Sequence, residues 1–356
     1  MSKVIFNNRN AVFVQALRKN VDDYFASHNI APVGNFKLYS KTVILLTAAV
    51  LNYIILVFFT PPVGIALLLC ALMGLNVSAI GFNVMHDGAH GSYSSNSRLN
   101  NLMAHSLDLI GGSSFLWKIK HNVIHHTYTN IDGVDDDIDI KPIMRFSATQ
   151  PKMWFHRFQH VYWPLMYSLL TFFWVFFTDF YKYFTKKIGE VPIRDMKVSE
   201  HLAFWGMKAL YFTLFLILPS IYVGFLPMLT GYVVMSLVTG FVLAIVFQLA
   251  HVVEETEFPV PTGDPARIEN EWAIHQVITT ANFATQNKVL SWLVGGLNFQ
   301  IEHHLFPKIS HVHYPQISKI VKQTCEQFGI QYNEHPTMLS SIRSHVRHLR
   351  QMSLAA

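Results

Sequence analysis

Cysteine is nearly missing: Cys70 and Cys325 are the only two in 356 residues. That count excludes a disulfide framework and any metal site built on thiolates. Charge is scarce as well. Charged residues make up 14% of the chain, while hydrophobic residues make up 51%. Soluble domains carry about 25% charged residues, so an ordinary soluble enzyme of this length is excluded. No nucleic-acid motif occurs, and the net charge of +5 is spread along the chain. The basic residues therefore read as contacts to a membrane surface, with no nucleic-acid partner. Residues 1–39 lack the charged, apolar, small-residue order of a cleaved signal peptide, so none is expected.

What the sequence has in excess is histidine, 19 residues, and long apolar runs. Crossing a bilayer takes about 20 apolar residues, and four segments qualify: about 42–59, 63–85, 207–225 and 228–250. Thr60-Pro61-Pro62 separates the first two and Pro227 the second two, which predicts two helical hairpins. A fifth apolar stretch, Val161–Phe180, is ambiguous. A fifth crossing would put the histidines after it on the far side from those before it. It therefore reads as a helix lying at the interface or packed without crossing, with Trp163, Tyr167, Trp174, Tyr181 and Tyr183 suited to that position.

Basic residues before the first span (Lys3, Arg9, Arg18, Lys19, Lys37, Lys41) fall on one predicted side. So do those of the loop before the third span (Lys182, Lys186, Lys187, Arg194, Lys197) and of the tail (Lys319, Lys322, Arg343, Arg347, Arg350). The two outer turns carry none. Positive charge marks the cytoplasmic side, so both termini and the segments 86–206 and 251–356 are expected there. They would form one helical cap on a single domain, residues 1–356, an all-α integral membrane fold.

The histidines cluster. His86 and His90 are spaced i, i+4, which places both imidazoles on one helical face, a clamp for a metal ion. His121 and His125 repeat that spacing, with His126 offset by about 100° toward a second ion. His303 and His304 form a third cluster, and His251 ends the fourth span. For His86 and His90 the plain alternative is two surface histidines at a helix end. For His251 it is a lone interfacial histidine. Eight imidazoles exceed the needs of one ion, and a structural zinc site would close with four ligands. Imidazole suits iron, copper, zinc or nickel, and the excess points to redox chemistry at a dinuclear centre, with two iron ions the economical choice. Asp87, Glu302, Gln248 and Asn282 are candidates for holding the rings from outside, or are simple surface or capping residues.

These residues carry a resemblance. His86-x-x-x-His90, His121-x-x-x-His125-His126 and Gln300-x-x-His303-His304 resemble the three histidine boxes of the membrane fatty acid desaturase superfamily. Gln300, and the stretches Leu297–Pro307 and His125–Asn130 with Asp135–Ile138, are similar to the front-end branch acting on acyl-lipids or acyl-CoA, as in linoleoyl-CoA desaturases. The resemblance covers nearly the whole chain. It implies four membrane helices, a cytoplasmic cap with a di-iron centre, and a narrow acyl tunnel. It also implies that His251 matches an extra ligand, with Gln300 a weak ligand or a lining residue. Many front-end members carry a fused cytochrome b5 domain with a His-Pro-Gly-Gly motif. This chain has neither the motif nor room for the domain. Electrons are expected from a separate ferredoxin or cytochrome b5 with its reductase, and the compact length points to a bacterial inner membrane.

An unactivated methylene has no acidic proton, so acid–base groups cannot attack it, whereas an oxidant made from O2 at iron can. Lys118, Lys120, Lys141, Arg145 and Lys152 are candidates for gripping a phosphate headgroup or coenzyme A, or they face anionic lipid. The aspartates at 135–137 either order a loop over the site or form a solvated turn. Acyl-lipid hydroxylases share the same boxes and are the main alternative. A non-enzymatic metal carrier would place its ligands near midplane, and a haem carrier needs two axial ligands per haem.

Overall fold

The computed structural model describes residues 4–8 and 11–355, so Lys3 and Arg9 of the basic N-terminal set lie outside the described residues. Four helices are long and apolar enough to cross a bilayer: α2 (Phe36–Phe59), α3 (Val63–His90), α7 (Val198–Val223) and α8 (Phe225–His251). An amphipathic helix, α1 (Val12–His28), precedes them and buries Phe13, Leu17, Val21 and Phe25. The Asn35 side chain accepts a hydrogen bond from the Lys37 N–H and so caps α2. α2 ends at Thr60, whose φ is +42°, and α3 begins directly after Pro62. Outward residues of these helices are large and apolar, with Phe59 73% and Ile221 72% exposed, the pattern a hydrocarbon solvent requires.

The break between α7 and α8 falls at Gly224, not at Pro227. Gly224 has φ +89°, a left-handed value that glycine adopts without a Cβ clash. Pro227 lies inside the first turn of α8. A proline is tolerated there because that N–H has no intrahelical partner to lose.

α3 and α8 run parallel in close contact. A Cβ on Gly74 would lie 2.5 Å from the Met235 carbonyl oxygen, so only glycine permits this approach. One turn on, Ser78 Oγ and Thr239 Oγ1 reach across to backbone oxygens of the partner helix. The C-terminal ends of both helices, with His86, His90 and His251, therefore emerge side by side.

The ambiguous apolar stretch is a bent pair, α5 (Trp154–Ser168) and α6 (Leu170–Thr185), which meet at 57°. Trp163 and Tyr167 are buried, and the Tyr167 hydroxyl meets His345 Nε2 at 2.9 Å. These two aromatics serve the protein interior, which corrects their reading as interfacial anchors. The opposite face of the pair exposes Trp154, Phe158, Val161, Leu165, Phe173, Phe177, Tyr181 and Phe184. Gly240 of α8 lets this pair in, since a Cβ there would lie 2.5 Å from the Ser168 carbonyl oxygen.

The remaining elements gather around the ends of α3 and α8: α4 (residues 114–128), α9 (Trp272–Ile278), α10 (Gln300–Leu305), α11 (Tyr314–Phe328) and α12 (Met338–Leu354). Strand structure among the described residues is limited to three two-stranded ribbons. One of them pairs Asn282–Phe283 with Glu334–His335 and sets Asn282 beneath α10.

Candidate metal centre

Four elements deliver eight histidines to one buried volume. α3 presents His86 and His90, α4 presents His121, His125 and His126, α8 presents His251, and α10 presents His303 and His304. Nitrogens of His86, His90, His121 and His303 lie within 4.8 Å of one another, and the same holds for His125, His251 and His304 and for His126, His303 and His304. Ring centroids of His86 and His303 are 4.4 Å apart, and those of His125 and His251 are 4.7 Å apart.

The outer nitrogens are held by hydrogen bonds. Asp135 Oδ2 lies 2.9 Å from His125 Nδ1, with both side chains fully buried. Asp137 Oδ2 lies 3.4 Å from His121 Nδ1. Gln276 Oε1 lies 2.8 Å from His304 Nδ1, the Tyr314 hydroxyl 3.3 Å from His303 Nδ1, and the Thr279 carbonyl 3.4 Å from His251 Nδ1. Such partners put the proton on Nδ1 and leave a lone pair on Nε2.

The inner nitrogens are bare. Nε2 of His86, His90, His125, His251, His303 and His304 is buried without a hydrogen-bond partner. His121 Nε2 faces His126 Nε2 at 3.2 Å. A buried polar atom left unpaired costs about 1–3 kcal/mol, and six in one place is not a stable end state for a protein alone. An all-imidazole set of this kind fits a transition-metal pair.

Burial first, and then the neighbouring imidazoles, hold His126, His303 and His304 well below the ordinary histidine pKa, so these rings stay neutral and keep a nitrogen lone pair free of a proton. Burial likewise lowers His121. For His125 burial acts in the same sense, but the Asp135 carboxylate outweighs it and raises the pKa.

The expected supporting residues sit one step further out. Asp87 accepts from Ser310 Oγ at 2.7 Å and lies 3.0 Å from His311 Nδ1. Glu302 accepts from Asn282 Nδ2 at 2.8 Å and from the Tyr332 hydroxyl at 2.9 Å. Asn282 Oδ1 also takes the Ile301 N–H. Neighbours in a helical sequence point about 100° apart, so Asp87 beside His86 and Glu302 beside His303 face away from the rings. They brace the helices. Gln248 borders the cavity with its Oε1 unpartnered. The run of aspartates signalled Asp135 and Asp137 without fixing their role, and nothing in the sequence marked Gln276, Thr279 or Tyr314.

A cavity of about 480 Å³ adjoins the cluster, within the usual range for small-molecule sites. One end is bordered by Lys120, Lys141, Lys182 and Asp136, Asp137, Asp139. The wall then passes His86, His121, Gln300 and His303 and continues between α3, α6 and α8 past Leu107, Ile110, Val175, Leu243, Thr239 and Val77. Trp117 stacks on His121 at 4.4 Å along this wall.

Three of the five basic residues expected to grip a headgroup are engaged elsewhere. Arg145 is 1% exposed and donates to the carbonyls of Ala148, Gln150, Met352 and Ala355, fastening the C-terminal segment. Lys152 donates to the carbonyls of Leu354 and Ala355. Lys118 donates to Asn101. Lys120 and Lys141 line the cavity. Burial opposes the charge of Lys120, but Asp137 and Asp136 outweigh that and raise its pKa.

Comparison with known proteins fixes the class. The fatty acid desaturase family model matches residues 59–336. The sn-1 linoleoyl-lipid 6-desaturase of Arthrospira platensis is 38% identical over 355 residues, which is 99% of this chain and 95% of that protein. The enzyme of the same name from Synechocystis sp. is 39% identical over 347 residues, covering 97% and 96% of the two chains. The acyl-lipid (8-3)-desaturase of Physcomitrium patens is 38% identical over 349 residues, 97% of this chain and 72% of that one. With its histidine cluster and apolar cavity, the chain belongs to the fatty acid desaturase family of oxidoreductases.

Proposed function

We propose that the protein introduces a double bond near the carboxyl end of an acyl chain carried on a membrane lipid. Two iron ions would be held by His86, His90, His121, His125, His126, His251, His303 and His304. His86, His90 and His121 would serve one ion, His125, His251 and His304 the other, with His126 and His303 between them. Gln300 lines the substrate path beside His303. The observation that carries this reading is the convergence of six buried, unpartnered Nε2 atoms beside an apolar cavity whose wall includes two of these histidines, His86 and His303. When bound, iron would supply the O2-derived oxidant, and one O2 with two outside electrons, two outside protons and two hydrogens of the chain leaves as two waters.

The chain's own residues place the substrate. Apolar side chains of α3, α6 and α8 exclude water from the deep cavity. Val77 lies nine residues before His86, about 13 Å along the helix, so a long tail extends past the histidines into the span region. The charged end lies next to the cluster, since Asp137 touches both Lys120 and His121. An ester held at that end leaves few carbons before the histidines, which favours front-end placement. The names of the relatives favour a lipid carrier over acyl-CoA. Four spans in two hairpins with a cytoplasmic cap, 86–206 and 251–356, accord with the apolar exteriors of α2, α3, α7 and α8. The exposed aromatic stripe of α5 and α6 suits the interface. Electrons come from a donor outside the described residues, a ferredoxin or a cytochrome b5 with its reductase.

The test is expression in a host, with total fatty acids resolved by gas chromatography–mass spectrometry and double bonds located by derivatisation. A new double bond near the carboxyl end, absent with His303→Ala or His304→Ala, is the expected result. A hydroxylated chain would refute desaturation.

A further inference from the structure

The exposed part of the cavity wall is confined to two segments. Of the residues that line the cavity, Asp139, Lys141 and Phe173 are exposed, and every other is buried or partly buried. Asp139 and Lys141 belong to the loop 139–143, and Phe173 belongs to α6. The loop is fastened to the other half of the bent helix pair. The Tyr162 hydroxyl of α5 donates to the Ile143 carbonyl at 2.7 Å, and His156 Nε2 lies 2.7 Å from the Pro142 carbonyl oxygen. Ile140 and Ile143 of the loop, with Met166 and Leu170 of the pair, supply apolar lining from the same two segments.

The two lips differ in chemistry. Phe173 is 48% exposed, and its ring meets that of Phe177 at 6.1 Å, so the cavity wall passes into the outward apolar stripe of α5 and α6 without a polar break. A continuous exposed apolar stripe of this kind is at home against lipid. The other lip carries an ion pair, Lys141 Nζ to Asp139 at 3.2 Å, which suits the level of the headgroups. An opening with one apolar and one charged lip fits a lipid that still lies in its leaflet. A lipid arriving through water would first expose both chains, a cost that grows with every CH2.

We propose that the cavity opens sideways into the bilayer between Phe173 and the loop 139–143, so that a two-chain lipid threads one chain toward the histidines while its other chain stays outside along Phe173 and Phe177. The proposal rests on the acyl-lipid reading above and adds the route of entry and the place of the second chain.

The experiment loads the full chain, without iron, with deuterated-chain phosphatidylcholine in detergent and places it in vesicles of the unlabelled lipid. Mass spectrometry of the lipid retained on the chain follows the exchange. Phe173→Asp puts a charge on the apolar lip and is expected to slow exchange about tenfold, the worth of apolar contact with about two CH2 groups. Phe173→Leu keeps the lip apolar and is expected to lose much less. Leu202→Asp, the same charge at a residue 70% exposed on α7, is the control expected to exchange like the parent. Unfolding temperatures show which variants fold. A second arm needs no variant: phosphatidylcholine with a bulky pyrene on the tip of one chain is expected to be retained like the plain lipid, and with pyrene on both tips to be excluded. An unchanged rate in folded Phe173→Asp, equal slowing by Leu202→Asp, exclusion of the singly capped lipid or retention of the doubly capped one would overturn the proposal. If Phe173→Asp does not fold, the capped lipids decide alone. Any of these results leaves the proposed function standing, since that falls only if no acyl lipid is desaturated.

Discussion

Changing Asp135 to asparagine removes one charge from the centre and little volume. In the parent chain Asp135 Oδ2 serves two donors, His125 Nδ1 at 2.9 Å and the Asn130 N–H at 3.0 Å, while Oδ1 takes the Asp137 N–H at 3.0 Å. No solvent reaches either side chain of the Asp135–His125 pair. An amide has one acceptor oxygen for these donors. If the oxygen replaces Oδ1, the NH2 group faces His125. That ring then moves its proton to Nε2 and loses the lone pair that faces the cluster. If the oxygen replaces Oδ2, the NH2 group meets the Asp137 N–H, and a buried donor stays bare. Either outcome costs about 1–3 kcal/mol, and loss of an outer partner of this type weakens metal affinity by about 10–100-fold. The assay is equilibrium dialysis of ferrous iron against a chelator, with iron counted by mass spectrometry for parent and Asp135→Asn. Thermal unfolding without metal separates general destabilisation from the site effect. Unchanged iron affinity in a folded Asp135→Asn variant would refute the reasoning.

Three further outcomes are expected. Val77→Phe fills the cavity about 13 Å along α3 from His86, so product analysis should show a shift to shorter acyl chains with little loss of iron; an unchanged chain-length profile contradicts that path. Lys208 Nζ donates to Asp179 at 2.9 Å and to the Gly111 carbonyl inside the protein, so Lys208→Met strands a carboxylate and should destabilise by about 3–5 kcal/mol, with Asp179→Asn added to it restoring part of the loss in detergent melts. Burial pushes His345 down to about 4, against the hydrogen bond that its Nδ1–H donates to the Val252 carbonyl, which favours charge. The unfolded chain takes that proton near pH 6.5 and the folded chain does not, so stability falls as pH drops from about 6.5 to about 4 and levels off below, by about 3 kcal/mol. His345→Gln should flatten that limb of the unfolding-temperature curve, and an identical acid limb would rule the assignment out.

Features with a period were readable in advance. Apolar runs of bilayer length marked α2, α3, α7 and α8, and i, i+4 spacing put His86 with His90 and His121 with His125. α3 continues unbroken through His90, so its histidine pair inherits the face set by the apolar run. What stayed hidden depends on tertiary closure. Asp135 and Asp137 reach the rings because loop 129–153 folds back under α4, and Gln276 arrives from a helix 150 residues further along the chain than His126. Arg145 looked like a surface base, yet four backbone carbonyls enclose its guanidinium. The position of the α7–α8 break turned on glycine's freedom at Gly224 against proline's tolerance in a first turn.

The most direct test of the central claim is iron content with Mössbauer spectroscopy on purified, iron-loaded protein. Two nitrogen-rich iron sites per chain, without haem absorbance and lost together in His125→Ala, are the predicted result. One iron per chain, zinc alone or haem would contradict a dinuclear iron centre held by these eight histidines.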